Sequence, residues 1–351
     1  MTNPKTPQCP DCTGEPAGPG RRDFLRMVGT SAAALAVGSV LPPSSPLSPL
    51  ALARAARLKK QADAENLVFE LYKTMGDDQR KQLVLPWDFG ATKTSPAARL
   101  GTHNAPVGKS VVGEQYDKKQ VELLHKIFKS LCNGEEGYDR LSRKKGFDAS
   151  GDFESIGALI YGEPAEGKKF SLVFAGHHIT LRCDGDSEEG AAFGGPLYYG
   201  HSPNGFSEKN VFGYQTKAVG EVFGSLNAEQ KKVGVMPGKW QDGVASVKLP
   251  AQDAKPLGVA YTALSKDQQA LTKAVMKELI APYRKEDGDE VMAVIGANGG
   301  FEKLSMAFYQ EGKTSEKEPW TFWRCEGPGF VWSFRALPHV HTFVNIRSKA
   351  G

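Results

Sequence analysis

Cysteine is scarce in this chain, at 5 of 351 residues, and histidine is little commoner at 7. Cys9 and Cys12 lie near the start, and only Cys132, Cys183 and Cys325 follow. Three cysteines over so long a stretch exclude a disulfide-built scaffold; one bridge plus a thiol, or three buried thiols, both remain open. Cys9-Pro10-Asp11-Cys12 has the spacing of half a metal knuckle but lacks a second ligand pair. An apolar run of the length a membrane helix needs, ~20 residues, is not found in the segment from Met27 to Leu41, which is short and rich in Ala and Gly. A predominance of one sign of charge is missing as well. The net charge is +4 from 44 basic and 40 acidic residues, interspersed rather than blocked. That balance predicts no nucleic-acid binding and no polybasic membrane contact. There is no G-x-S-x-G, no G-x-x-x-x-G-K-[ST] and no H-E-x-x-H. Gly194-Gly195 and Gly299-Gly300 form no dinucleotide fingerprint.

What is present begins with a leader. Arg21-Arg22-Asp23-Phe24-Leu25 is a twin-arginine pattern ahead of the apolar run, and a Pro/Ser-rich connector leads to Ala51-Leu52-Ala53, an A-x-A-like cleavage site. Residues 1–53 are therefore expected to be a twin-arginine signal peptide and connector. They would be read by the bacterial twin-arginine export machinery, which delivers the protein to the periplasm or beyond with no stable membrane span after cleavage. The Cys9–Cys12 pair would be removed with them. Residues 54–351, with a net charge of +3, are long enough for one large domain.

Helical spacing dominates the first part of that domain. Leu67, Val68, Leu71, Tyr72 and Met75 make one stripe, and Gly76 restarts the chain at Asp77-Asp78-Gln79, so residues 61–84 read as two short helices. Residues 87–113 are rich in Pro, Thr, Gly and Ala and predict an ordered loop. In Asp117–Leu131, Val121, Leu124, Phe128 and Leu131 share a face. The basic cluster Arg140, Arg143, Lys144 and Lys145 reads as solvated surface. Asn227-x-x-Gln230 and Ser265-x-x-Gln268 have capping-box spacing, with a weaker echo at Gly76-x-x-Gln79, and this recurrence reads as helix-start chemistry rather than as a repeat.

Elsewhere the period is that of strands. Ser155–Tyr161, Lys169–Cys183, Ala191–Tyr199, Lys303–Tyr309, Trp320–Glu326 and Phe330–Ala336 are candidate strands, the last two joined by Gly327-Pro328-Gly329. His339–Arg347 alternates, with His339, His341, Phe343, Asn345 and Arg347 on one face. The fold class is α+β: a single domain with an antiparallel sheet region, strands about 153–199 and 303–347, and helices packed around it.

Five of the seven histidines fall at His177-His178, His201 and His339-Val340-His341. On a strand, His339 and His341 point the same way ~6.6 Å apart, a spacing from which two imidazoles converge on one zinc, copper or iron ion. His177 or His178 would add a third ligand, and His201 a fourth or a substrate contact. If Lys169–Cys183 is one central strand, His177 and His178 diverge across the sheet and one of them is structural. His178 is the favoured ligand, because His177 shares its face with more aliphatic residues. Arg324 and Arg347 are candidate anchors for an anionic small ligand.

These residues, in this order, resemble the family catalogued as domain of unknown function number 3500. The resemblance rests on Gln79-Arg80, Tyr161-Gly162-x-Pro164, Gly176-His177-His178-Ile179, Gly195-Pro196-Leu197, Gly200-His201-Ser202-Pro203, the Leu264 to Gln268 helix start, Arg324 with Gly327-Pro328, and His339-Val340-His341-Thr342. It spans about residues 65–347 and implies an exported protein of bacteria or fungi without naming an activity. The family pattern often carries an acidic residue after the Gly-Pro turn and an Asp-Tyr-Gly-type ending. Here Val331-Trp332-Ser333-Phe334 and Ser348-Lys349-Ala350-Gly351 stand instead. Two functions follow as expectations. One is an enzyme with a histidine-ligated metal, hydrolytic or oxidative. The other is a non-catalytic envelope protein that binds a small molecule in a pocket of Trp320, Phe322, Trp323, Trp332 and Arg324.

Overall fold

The computed structural model describes residues 64–348, except 239, 241, 252, 253 and 313. The expected leader, with its twin arginines and the Cys9–Cys12 pair, lies outside the described residues.

Helix α1 covers 64–74 and α2 covers Asp77–Leu83, running straight into the short strand β1, Val84–Leu85. After a long loop come α3 (Val112–Gln115), α4 (Lys118–Ser130) and α5 (Gly134–Leu141). A 3-10 turn at Phe153–Ser155 leads into β2 (Gly157–Gly162), β3 (Phe170–Gly176), β4 (Ile179–Cys183) and β5 (Leu197–His201). The second half repeats this order. It has α6 (Gly213–Ser225), α7 (Ala228–Gly234), β6 (Val235–Pro237) and, after a loop carrying α8 (Val244–Val247) and β7 (Val259–Ala260), α9 (Lys266–Ile280) and α10 (Lys285–Ala297). A 3-10 turn at Phe301–Lys303 then opens β8 (Ser305–Gln310), β9 (Phe322–Gly327), β10 (Phe330–Arg335) and β11 (Val340–Ile346).

All eleven strands join one sheet in the order β1-β2-β3-β4-β5-β11-β10-β9-β8-β6, with β7 on β8. From either end the order reads the same: a short outer strand parallel to its neighbour, then an antiparallel meander of four, the halves meeting at β5–β11. The α+β class holds, but the sheet is mixed rather than antiparallel, because β1 and β6 pair in parallel with β2 and β8. Each of these strands follows its helix without a loop, so it enters the sheet in the direction the helix dictates.

The recurring capping boxes belong to this duplication. Asn227/Gln230 and Ser265/Gln268 form complete boxes, as does Asp117/Gln120, whereas Gly76 has no side chain to cap with. In the second half Gln230 and Gln268 exchange amide hydrogen bonds of 2.9 and 2.8 Å, and Gln230 also donates to Ala263 O. In the first half Gln79 and Gln120 exchange bonds of 2.8 and 3.0 Å, and Gln79 donates to Gln115 O. Expected helix-start chemistry thus marks two copies of one unit, with paired glutamines stitching each unit's helices together.

One sheet face carries the helices. Phe174 meets Phe128, Tyr199 meets Phe212, and Phe308 meets Phe223 on that side. The other face is crossed by two long loops, one from each half. A buried arginine pins each of them. Arg182 donates to the carbonyls of Arg99, Gly101 and Pro196, and Arg324 donates to those of Ser246 and Lys248. Trp320, Phe322, Trp323 and Trp332 are buried, and Trp240 of the second loop stacks on Phe322.

The expected single strand Lys169–Cys183 is instead a hairpin. Gly176 pairs with Ile179, so His177 and His178 are its two turn residues, and His178 has φ 57°. The argument that the two rings diverge across a sheet therefore fails. Their centroids lie 3.8 Å apart. The apolar residues on both sides had concealed the reversal. Positive φ costs a non-glycine residue ~1–2 kcal/mol, and the turn holds His178 there against the sheet.

Candidate metal centre

Three imidazoles meet where β4, β5 and β11 approach one another, on the loop face of the sheet. His341 stands opposite Gly200 in the β11–β5 pair. A Cβ on Gly200 would crowd the His178 ring at 3.2 Å and the Val340 carbonyl at 2.3 Å, so glycine leaves the space the ring uses. Nε2 of His341 lies 2.9 Å from Nε2 of His178 and 2.9 Å from Nε2 of His339. All three rings are buried, and the three residues form a group able to hold a metal ion.

Carboxylates orient two of the rings from behind. Asp148 Oδ2 lies 2.5 Å from His178 Nδ1, and Asp242 Oδ2 lies 2.9 Å from His341 Nδ1. An ionised carboxylate only accepts, so each Nδ1 carries the proton and each Nε2 presents a lone pair. Burial, followed by the Arg335 and His339 charges, holds His341 well below the ordinary histidine range. Burial likewise holds His178 well below it, against the upward pull of its Asp148 hydrogen bond. Both rings are thereby biased toward the neutral form. Arg335 Nη2 lies 3.1 Å from His339 Nε2, and because a guanidinium only donates, that nitrogen too is the bare one. By this assignment none of the three clustered Nε2 atoms carries a proton, and that of His339 accepts from Arg335.

The loop that delivers Asp148 is strained. Arg143, Lys144, Lys145, Phe147 and Asp148 all have positive φ, between 42° and 71°. The expected solvated basic cluster is thus partly structural: Arg143 is buried and donates to His177 O. Asp148 also accepts from the backbone N–H and the hydroxyl of Ser202 at 3.0 and 2.8 Å. Burial raises its carboxyl, but His178, Arg143 and Ser202 together hold it well below the usual carboxylate range. Asp242 arrives on the second loop, close to the carbonyls that Arg324 grips, and pairs with Arg335 at 2.6 Å. From the first loop, Asn104 Oδ1 accepts the His178 N–H at 2.8 Å.

Of the expected ligands, His178, His339 and His341 come together. His177 lies tilted against His178 and its Nδ1 accepts the Ala149 N–H; with Asp148 and His178 it forms a second, overlapping group. His201 stands apart, its Nδ1 accepting the Val211 N–H at 3.1 Å. Arg324 spends its donors on Glu326, Ser333 and the loop carbonyls, and Arg347 pairs with Glu188 at 2.6 Å. The cysteines Cys132, Cys183 and Cys325 are free and buried, away from the centre. Asp148, Asp242 and Arg335 were not singled out from sequence. Arg335 alone left a trace, standing at the end of an aromatic strand just before the His339-x-His341 motif, where antiparallel pairing sets it opposite His341.

No curated protein and no solved structure matches the chain. A family model described as a protein of unknown function (DUF3500) matches residues 59–349. With the histidine motifs and both halves of the sheet inside that span, the chain belongs to the DUF3500 family.

Proposed function

We propose that this protein is an exported, metal-dependent enzyme whose centre is a single divalent transition-metal ion held by Nε2 of His178, His339 and His341. The observation that carries it is the convergence of three buried Nε2 atoms, which the hydrogen-bond partners of the rings leave without protons. Two lone pairs at 2.9 Å repel unless a cation lies between them, and Asp148 and Asp242 fix the tautomer that aims them. The spacing suits a metal: nitrogens bound at ~2.0–2.1 Å lie ~2.9 Å apart at a right angle and ~3.4 Å apart at the tetrahedral angle.

Imidazole donors suit zinc, copper and iron alike. Three neutral ligands leave the ion's full charge to act on whatever fills its open positions, and the bound metal would supply Lewis-acid or redox chemistry there. The chain's own contribution is placement: three buried rings beside two pinned loops, two of them oriented by carboxylates. The twin-arginine pattern supports export of a folded protein with its ion in place.

Competition against a chromophoric chelator, with zinc, copper(II) and iron(II) in turn, tests the proposal. One ion per chain is expected, lost in His339→Ala and His341→Ala and kept in His201→Ala. Zinc in the protein as isolated would favour the hydrolytic reading, and iron or copper the oxidative one. Wild-type protein that takes up none of the three, or a His341→Ala variant that binds as well as wild type, would refute it.

A further inference from the structure

Arg335 ends β10 directly across from His341, and each of its nitrogens is engaged. Nη1 lies 2.6 Å from Asp242 Oδ2, Nε donates to His339 O at 3.2 Å, and Nη2 lies 3.1 Å from His339 Nε2. The third contact cannot coexist with a metal. An imidazole Nε2 has one lone pair, and an ion that takes it removes the acceptor from the Nη2 N–H. The other two contacts still hold the guanidinium in place. Metal uptake therefore leaves a largely buried cationic donor without its partner, beside the ion, which is costly unless a new acceptor arrives.

The charge balance points the same way. Asp148 and Asp242 offset Arg335 and Arg143, so the charged groups around the rings sum to about zero before metal uptake. A divalent ion adds two positive charges in a buried site, where an anion is strongly favoured. Access lies on the same side. The Arg335 and Asp242 side chains are 16% and 13% exposed, against 0% and 1% for His178 and His341.

Resting on the metal centre proposed above, we infer that the centre takes a small oxyanion substrate of the carboxylate class, bound at the ion's open face and gripped by Arg335 Nη2. Arg335 is then a substrate-contacting residue that metal binding itself arms, and it is the source of preference for an anion over a neutral isostere. In metal-free protein Nη2 rests on His339, so the same anion finds no site.

Cobalt(II) provides the probe, because its visible spectrum reports what enters the coordination sphere. Wild-type protein loaded with cobalt is titrated with acetate and with acetamide. Acetate is expected to give a saturable spectral change and acetamide none. Arg335→Gln should weaken acetate by about tenfold or more. Because Arg335 also pairs with Asp242 behind His341, acetate affinity is read for each variant at saturating cobalt, which separates anion contact from metal holding. Arg335→Lys, which keeps the charge but loses the fork, should fall between; if the glutamine variant does not fold, a lysine variant that binds acetate less tightly at saturating cobalt carries the result. Cobalt-loaded wild type that ignores acetate, binds acetamide equally, or loses nothing on substitution of Arg335 overturns this inference alone. Protein that takes up no metal overturns the metal centre itself.

Discussion

Replacing Asp148 with asparagine should weaken metal binding without removing a ligand. Asp148 sits at φ 52°, a left-handed conformation that asparagine tolerates nearly as well as aspartate, so the backbone should stay put. What changes is the partner of His178 Nδ1, now 2.5 Å from a carboxylate oxygen. An amide oxygen accepts more weakly, and the amide nitrogen would face the Ser202 N–H or hydroxyl that now donate to the carboxylate. Loss of such a partner behind a ligating imidazole costs ~10–100-fold in metal affinity, or ~1.4–2.7 kcal/mol. Chelator competition on Asp148→Asn would measure it. Asp78→Asn provides the control, since Asp78 is exposed and pairs with Lys81 on the surface. Equal affinities for wild type and Asp148→Asn, or an equal loss in the Asp78 control, would refute the reasoning that this carboxylate sets the ring.

Other outcomes follow from the rest of the molecule. Arg324→Met would strip donors from Glu326 and from two loop carbonyls, costing ~3–5 kcal/mol as a broken buried pair. Hydrogen exchange should show faster exchange across the loop that carries Asp242, and metal affinity should fall. The amide pair Gln230–Gln268 should show a coupling of ~0.5–1.5 kcal/mol in a double-mutant cycle by denaturant unfolding, and Gln79–Gln120 a similar one. Burial lowers His103 to about 4 from its ordinary 6.5. Its unfolded form binds a proton first, so its contribution is full above pH ~6.5 and is lost as pH falls toward ~4, amounting to ~2–3 kcal/mol. Wild type minus His103→Asn in acid titrations of stability should recover that difference.

Sequence periodicity carried much of the architecture. The Gly-Pro-Gly turn, the alternation from His339 to Arg347 and the helix starts at Asn227 and Ser265 all stand where local chemistry puts them. The hairpin at His177-His178 did not show, because strands buried on both faces lack alternation and no glycine occupies the turn itself. The duplication was hidden for a related reason. What the halves share is chiefly hydrogen-bond geometry, such as the glutamine pairs, and the turn that carries His178 corresponds to Pro328-Gly329 in the second half. Two of the three clustered histidines were legible as H-x-H. Asp148 and Asp242 were not, since each reaches the centre on a loop whose path is fixed by a distant contact: Arg143 on the His177 carbonyl, and Arg324 on the Ser246 carbonyl.

The most direct test of the central claim is crystallographic. Crystals of the protein loaded with the ion it retains, measured on either side of that metal's absorption edge, should give one anomalous peak per chain. The account predicts the peak ~2.0–2.1 Å from Nε2 of His178, His339 and His341. A peak elsewhere, or none at this position in crystals soaked at saturating metal, would contradict it.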